Sequence, residues 1–244
     1  MVGNKTYVYE NAIYLLNYHS NIMSFKILYV TATQAEAETL KKLVELKPSV
    51  RNNFEVLPLV TGVGSIATVC TMKRWFEVNG KPDLAINAGI AGTYNDEIFI
   101  GDVVMPHTDC FADAGIEDNE NFITLFEAGL SNADQFPYKD GLLYSDPVYF
   151  NKLKELIKPV KAITLNTATG SEISKTKWIK KFNPDIETLE GATFFYICTL
   201  EKIPFLAIRA ISNKVEPRNK SNWNIALALD NLSEKLIEIL LTLV

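Results

Sequence analysis

The sequence predicts an α/β fold of three layers, in which a mainly parallel central sheet is flanked by helices. Short apolar runs such as KILYV and PFLAIRAIS have the length of strands that are buried on both faces. Stretches with helical periodicity, such as QAEAETLKKLVEL, separate these runs. This alternation of strand and helix is typical of a parallel sheet that is covered by helices on both sides.

Each predicted strand is a short apolar run, and each predicted helix repeats its apolar residues every three or four positions, as Ala37, Leu40 and Val44 do. The acidic and aromatic segment 109–146 is less regular, and we interpret it as an insertion over the sheet edge. The predicted strands are, in chain order, KILYV, FEVLPLV, PDLAINAGIAG, IGDVVMP, KAITL and PFLAIRAIS. The predicted helices are QAEAETLKKLVEL, IATVCTMKRWFEV, VYFNKLKELIK, SKTKWIKKF, EGATFFYICTLEK and the closing WNIALALDNLSEKLIEILLTLV.

The pattern indicates one catalytic domain over residues 25–244, a length that a single α/β core can fill. Residues 1–24 form a leader whose status the sequence leaves open, since it lacks the basic start and continuous apolar run of a signal peptide. No apolar run approaches the roughly 20 residues that span a bilayer. We therefore expect a cytoplasmic protein without membrane contact.

Composition argues against several function classes. The 24 basic and 29 acidic residues give a net charge of −5, and the basic residues are scattered, so nucleic acid is not an expected partner. The three cysteines and two histidines are too few and too isolated for a disulfide framework or a metal site. We expect neither a metal nor a cofactor.

Ligands of such sheets bind beyond the carboxyl ends of the strands. Two of these ends are rich in glycine, TGVGS and AGIAG, but neither has the spacing of a dinucleotide fingerprint and no Walker lysine follows. Tight turns are therefore the simpler interpretation, and a phosphate cradle is the alternative. The candidate tips are residues 31–36, 61–65, 88–93, 166–171 and 212–216.

Taken together, the tips resemble those of the purine nucleoside phosphorylase and nucleosidase superfamily. The motifs KILYVTATQAEAETL, VTGVGSIAT, KPDLAINAGIAG, IGDVV, LEGAT and PFLAIRAISN occur in its order and near its spacing, over about residues 26–244. Two further features, RAISNKVEPRN followed by a tryptophan and FADAGIED in the insertion, are similar to the futalosine hydrolase branch of menaquinone biosynthesis. The resemblance implies cleavage of the bond between a purine and a ribose.

The resemblance implies that Glu36, in the first strand-to-helix turn, orients and deprotonates the attacking water. A carboxylate there is also favoured by the helix dipole alone, and Glu38 is the competing candidate. Phosphorolysis would need cations, usually arginines, on the first and third tips. Neither TATQAEAE nor AGIAGTYN contains an arginine, and Ile90 stands where several relatives have serine. We therefore expect hydrolysis.

The resemblance also implies that Glu190 of LEGAT accepts hydrogen bonds from the ribose hydroxyls, with Leu189 in place of the usual methionine. The alternative for Glu190 is a structural carboxylate at a helix N-terminus. Glu187 is expected to pair with a buried partner such as Arg209. The other predicted substrate-binding residues are Ile90 and Gly92 on the third tip and Thr167 and Thr169 in NTATGSE.

Asn213 carries the prediction about the base. Adenine-specific relatives have aspartate there, whereas an amide can donate to the 6-oxo group or ring nitrogen 7 of hypoxanthine. Opposite adenine, the NH₂ group of Asn213 would face the amino group of the base, and two facing donors cost about 1–3 kcal/mol. This favours futalosine as substrate and hypoxanthine as product. Asn213 could instead be a turn-forming residue that caps its own backbone.

The carboxylate tail of futalosine is expected to need a cation and an apolar wall. Arg218 is the candidate cation, with Lys220 nearby, although a solvated loop arginine is the alternative. Phe111, Phe194 and Phe195 are the candidate walls. The competing functions are a methylthioadenosine or adenosylhomocysteine nucleosidase, a purine nucleoside phosphorylase and a non-catalytic nucleoside-binding protein. From the resemblance we also expect a homo-oligomer.

Overall fold

The structure, a computed structural model, describes residues 25–45, 54–119 and 121–243. The predicted leader, residues 1–24, lies outside the described residues. The strands of the described part are β1 (Phe25–Thr31), β2 (Phe54–Val60), β3 (Leu84–Thr93), β4 (Val103–Asp109), β5 (Gly115–Asp118), β6 (Asn121–Thr124), β7 (Leu143–Tyr144), β8 (Lys158–Thr164), β9 (Ile186–Thr188) and β10 (Phe205–Lys214). Its α-helices are α1 (Gln34–Ala37), α2 (Ser65–Asn79), α3 (Pro147–Leu153), α4 (Glu172–Phe182), α5 (Gly191–Glu201) and α6 (Ile225–Leu243).

The central sheet is mainly parallel, as predicted, but it also closes on itself. Strand β3 pairs in parallel with β1 and β10, and β1 pairs in parallel with the edge strand β2. On the other side, β4 and β8 pair in parallel, as do β8 and β9. Antiparallel pairings of β10 with β4 and of β3 with β9 join these strands into a ring. The ring brings the ends of β3, β9 and β10 together.

The apolar strands are covered on both faces, and this explains why they read as continuous hydrophobic runs. In β1, Ile27 and Tyr29 belong to a core cluster with α6, whereas Leu28 and Val30 belong to a second cluster with α2 and α5. Alternate residues of a strand point to opposite faces. The result is the predicted arrangement of helix, sheet and helix.

The segment QAEAETLKKLVEL is less regular than its periodicity predicts. Its α-helix ends at Ala37, and a 3₁₀ segment, Glu38–Glu45, continues it. The hydroxyl of Thr39 donates to the Glu36 carbonyl at 2.6 Å and also contacts the hydroxyl of Tyr29. A threonine that bonds the backbone locally competes with the α-helical ladder, and this accounts for the change of helix type.

The insertion predicted over 109–146 contains strands β5 to β7. Strand β7 pairs with β4, while β5 and β6 form a separate hairpin. The hairpin packs on α4 through Phe122, whose ring meets those of Trp178 and Phe182 edge-on or tilted. Within the described residues, no helix has both the length and the apolar character needed to cross a membrane.

Candidate active site

Glu36 is a buried carboxylate at the tip of β1. Thr33 is the N-cap of α1, and it forms a capping box with Glu36. One carboxylate oxygen of Glu36 accepts from the Thr33 amide and hydroxyl, both at 2.9 Å, and the other accepts from the Ile90 amide at 3.0 Å. A Cβ on Gly89 would lie 2.6 Å from that second oxygen, so the glycine makes room for the carboxylate. By contrast, Glu38 is exposed and pairs with Lys41.

Glu190 is a second, half-buried carboxylate that interacts electrostatically with Glu36. It is the N-cap of α5, yet its side chain makes no capping hydrogen bond. Its carboxylate instead accepts from the Gly64 amide at 2.8 Å, in the glycine turn that follows β2. Burial raises the pKa of Glu190, the Gly64 hydrogen bond and the charge of Arg209 oppose this rise, and the charge of Glu36 adds to it. The two carboxylates therefore influence each other electrostatically.

Arg209 of β10 is 2% exposed, and it interacts electrostatically with both carboxylates. Its guanidinium donates to the Asn87 side chain and to the carbonyls of Asn87 and Ile208. Burial lowers its pKa, and the charges of Glu190, Glu36 and Asp109 counter that effect. The predicted pairing of Arg209 with Glu187 is wrong, because its donors turn inward to Asn87. Arg209 thus supplies positive charge under the site without offering a donor to a ligand above it.

Asn213, Gly92 and Glu187 form a row across three strands. Gly92 of β3 lies opposite Asn213 of β10 on one side and opposite Glu187 of β9 on the other. A register shift between Ile211 and Asn213 sets this pairing, so Ser212 is the extra residue of a bulge. A Cβ on Gly92 would lie 3.0 Å from Cγ2 of Val215, 3.1 Å from the Asn213 amide nitrogen and 3.7 Å from Cγ of Glu187. The row is therefore closely packed, and the glycine lets the Asn213 and Glu187 side chains approach each other across β3.

The Asn213 amide is held by its neighbours in sequence. Its oxygen accepts from the Ser212 hydroxyl at 2.8 Å, and its nitrogen donates to the Lys214 carbonyl at 2.9 Å. The second bond is the backbone cap that we considered as an alternative role. An amide nitrogen carries two hydrogens, so one N–H donor remains after this bond is made.

Glu187 is tied to the loop that follows β8. One oxygen accepts from the Thr169 amide at 2.9 Å, and the other accepts from the Tyr94 hydroxyl. The Tyr94 hydroxyl also lies 3.1 Å from the Thr169 hydroxyl. Burial, followed by the Glu187 charge and hydrogen bond, raises the pKa of Tyr94, so the phenol stays protonated and donates. Together the three residues fix the wall of the site next to Asn213.

The remaining predicted residues are distributed unevenly. Leu189 is half-buried beside Glu190, and the Ile90 side chain packs towards the α6 core while its amide faces Glu36. Thr167 is exposed, whereas Thr169 is half-buried. Arg218 is exposed, and its backbone amide bonds the Gly170 carbonyl at 3.4 Å. The described residues thus bring Glu36, Glu190, Asn213 and Thr169 to one end of the sheet.

The predicted aromatic walls need correction. Phe194 and Phe195 are fully buried in α5, where both rings pack against Phe205. They point into the core because α5 is apolar all round, and therefore neither can contact a ligand. Phe111 is half-buried and packs edge-on against Tyr196.

A cavity of about 610 Å³ is lined in part by the loop 167–171. Its lining also includes Lys177 and Trp178 of α4 but neither Glu36 nor Glu190. We place the candidate site at the strand tips that carry these two carboxylates. Among the described residues, no group of three or more His, Cys, Asp or Glu side chains is arranged to hold a metal ion.

Sequence reasoning missed Tyr94 and Gly64. Tyr94 directly follows the third strand tip, and this position alone could have marked it as a candidate site residue. Gly64 has φ near +92°, a conformation that glycine adopts readily, and its amide thereby reaches Glu190. Nothing in the sequence links Gly64 to Glu190, since 126 positions separate them.

Comparisons with known proteins show which family and fold the chain resembles. The model of a family described as the phosphorylase superfamily matches residues 26–244. A 5′-methylthioadenosine/S-adenosylhomocysteine nucleosidase of Buchnera aphidicola subsp. Schizaphis graminum is 27% identical over 205 residues, which are 77% of this chain and 79% of that protein. A futalosine hydrolase of Streptomyces coelicolor is 26% identical over 183 residues, covering 72% of this chain and 74% of that protein.

A solved structure extends the likeness to the fold. The native structure of futalosine hydrolase of Helicobacter pylori strain 26695 matches with a TM-score of 0.75 and 14% sequence identity. The match covers 91% of this chain and 99% of that one. It confirms the predicted α/β architecture with a central sheet and flanking helices.

Proposed function

This chain belongs to the phosphorylase superfamily, and on that premise we propose that it hydrolyses the N-glycosidic bond of a purine nucleoside, with futalosine as its substrate. The observation that carries the proposal is the pairing of the buried carboxylate of Glu36 with the half-buried carboxylate of Glu190, both acting electrostatically on the buried Arg209. The tips 31–36, 61–65 and 88–93 contain neither arginine nor lysine. A phosphate dianion would lack the cations that it needs there, so water is the favoured nucleophile.

Glu36 is suited to hold that water. An ionised carboxylate has about four acceptor positions, and three are filled by the Thr33 amide, the Thr33 hydroxyl and the Ile90 amide. One position is left for a water molecule. Because the three donors fix the carboxylate, the water is oriented, and Glu36 takes its proton as the bond to the sugar forms.

Glu190 is suited to hold the ribose. The hydrogen bond from the Gly64 amide uses one lone pair of one carboxylate oxygen. The remaining lone pairs can accept from two vicinal hydroxyls. The transition state of glycoside cleavage resembles an oxocarbenium ion. Negative charge from Glu36 and Glu190 on either side stabilises that cation more than the neutral ground state, and this difference is what accelerates the reaction.

The base end favours a 6-oxopurine. Such a base presents a carbonyl next to a ring N–H, whereas adenine presents an amino group next to a ring acceptor. The free N–H of Asn213 matches the carbonyl, and the Glu187 carboxylate, which lies across Gly92 from Asn213, matches the ring N–H. Both matches are lost with adenine.

Two observations favour futalosine over other 6-oxopurine nucleosides: the FADAGIED and RAISNKVEPRN motifs, and the 26% identity to a futalosine hydrolase. That identity is about the same as the 27% identity to the methylthioadenosine/adenosylhomocysteine nucleosidase. Arg218 is the proposed partner of its carboxylate tail. A methylthioadenosine/adenosylhomocysteine nucleosidase is the second candidate, because a protein of that name is equally similar.

A purine-release assay separates these functions. Purified protein is incubated with futalosine, inosine or methylthioadenosine, with and without phosphate, and the released base is identified by chromatography. We expect hypoxanthine from futalosine, at a rate that phosphate does not change. Adenine release from methylthioadenosine at a comparable rate would exclude the 6-oxopurine proposal, and a requirement for phosphate would exclude hydrolysis.

A further inference from the structure

The first turn of α5 is capped in an unusual way. Its N-cap residue, Glu190, makes no side-chain capping bond, and the first free amides of the helix are satisfied by two strands instead. The Gly191 amide donates to the Thr188 hydroxyl of β9 at 3.1 Å, and the Ala192 amide donates to the Thr164 hydroxyl of β8 at 2.7 Å. The Glu190 side chain is thereby released from the role that an N-cap residue usually has.

Asp109, at the end of β4, controls the direction of the Thr164 hydroxyl. One Asp109 oxygen accepts from the Thr164 hydroxyl at 3.0 Å and from the Cys110 amide at 2.8 Å. A threonine hydroxyl has a single hydrogen. Because Thr164 donates this hydrogen to Asp109, its oxygen presents a lone pair to the Ala192 amide.

The second oxygen of Asp109 is buried and has no hydrogen-bond partner among the described residues. It lies against the bare Cα of Gly191, where any Cβ would collide with it. A buried carboxylate oxygen without a partner is unfavourable. Its persistence next to the residue that follows Glu190 calls for a role that the hydrolytic mechanism does not supply.

We propose that Asp109 is a positioning residue for Glu190, acting through Thr164 and the first turn of α5. Asp109 and Thr164 hold the turn, so that the Glu190 carboxylate is directed to Gly64 and the ribose rather than back onto its own helix. The part of the inference that concerns ribose rests on the proposed function. The part that concerns the contact between Glu190 and Gly64 does not.

The test compares Thr164→Val with Thr193→Val. Both changes remove a buried hydroxyl at constant shape. The Thr193 hydroxyl, in the first turn of α5, has no partner among the described residues, which makes Thr193→Val a matched control. Amide hydrogen exchange is followed by NMR at Ala192 and Gly64. In Thr164→Val we expect both amides to exchange about tenfold faster, since each loses a fixed partner. In Thr193→Val we expect no change.

The second readout is the preference for a ribonucleoside over its 2′-deoxy analogue. Thr164→Val should lower this preference about tenfold, whereas a purely structural defect would slow both substrates alike. Faster exchange at Ala192 with unchanged exchange at Gly64 would overturn the inference, because the turn would then loosen without moving Glu190. If the wild-type protein cleaves no nucleoside, the proposed function fails, and the exchange at Gly64 still decides the positioning role.

A second pair of variants covers the case in which Thr164→Val does not fold. Asp109→Asn keeps an acceptor for the Thr164 hydroxyl, whereas Asp109→Ala removes it. We expect the Gly64 amide to stay protected with asparagine and to exchange about tenfold faster with alanine. Equal protection in both variants would contradict a role for Asp109.

Discussion

The proposed ribose end and the proposed base end of the candidate site are built differently. At the ribose end, most donors to Glu36 and Glu190 are backbone amides, and the Thr33 hydroxyl is the one side-chain donor among the described residues. At the base end, Asn213 is half-exposed, and its surroundings are fixed largely by side chains and the loop after β8. Backbone donors are independent of side-chain identity, whereas side-chain pairs change with every substitution. We therefore expect the ribose end to depend mainly on backbone geometry and the base end on the identity of its side chains.

The largest expected effect comes from Glu36→Gln. The amide cannot take a proton from water, so kcat should fall by about 10³-fold while KM changes little. Glu38→Gln, two residues away and exposed, is the matched control and should leave kcat unchanged. Steady-state hydrolysis of the best substrate measures both. A small decrease of kcat in Glu36→Gln, or an equal decrease in both variants, would show that another group activates the water.

Asn213→Asp tests whether the base end is adjustable on its own. A carboxylate can accept from the adenine amino group and repels a 6-oxo group, so the ratio of kcat/KM for adenine over hypoxanthine nucleosides should rise by about one to two decades. The ribose end should be unaffected, and the preference for ribose over deoxyribose should therefore stay constant. A loss of activity on both bases would show that the two ends are not independent.

Most of the fold was predictable, since it rests on local patterns. The alternating apolar runs identify a sheet that is covered on both faces, and β1 fulfils this with Leu28 and Tyr29 on opposite sides. The closure of the sheet was not predictable, because the pairings of β3 with β9 and of β4 with β10 join distant segments. The 3₁₀ continuation of α1 was not predictable either, because hydrophobic periodicity does not reveal the bond of the Thr39 hydroxyl to the Glu36 carbonyl.

The site shows the same division. Glu36 and Glu190 stand in local motifs, so a resemblance could identify them as candidates. The partner of Glu187 could not be inferred, because Tyr94 is 93 residues away and Arg209 is bound by Asn87 instead. The prediction that Phe194 and Phe195 form an aromatic wall was wrong for another reason. Both residues lie on a helix that is apolar on all sides, so hydrophobic periodicity does not indicate which side chains face the site.

The buried charges of the ribose end should also give stability a pH dependence. Burial raises the pKa of Asp109 to about 7, while the Thr164 hydrogen bond and the Arg209 charge lower it in part. Between about pH 4 and about pH 7 the folded state then keeps a proton that the unfolded state has lost, so stability falls as pH rises through this window. Burial also raises the pKa of Cys110, whose thiol stays protonated throughout.

Asp109→Asn removes this proton uptake. Relative to the variant, the wild type should lose at most about 1.4 kcal/mol of unfolding free energy per pH unit across the window. Urea unfolding at several pH values measures the difference, with Thr193→Val as a variant that carries no titrating change. Parallel pH curves for the wild type and Asp109→Asn would show that Asp109 is already ionised in the folded state.

The smallest effect is expected at the exposed Arg218, the proposed partner of the carboxylate tail. Arg218 lies beside Gly170, and its guanidinium is 6.0 Å from the Trp223 ring. An exposed ion pair is worth about 1 kcal/mol or less, so Arg218→Ala should raise KM for futalosine severalfold, and added salt should shrink the difference. Inosine, which has no carboxylate tail, should be cleaved equally well by both proteins. Lys220→Ala, in the same loop, is the control for net charge, and an equal rise in KM there would indicate a general field rather than a contact with Arg218.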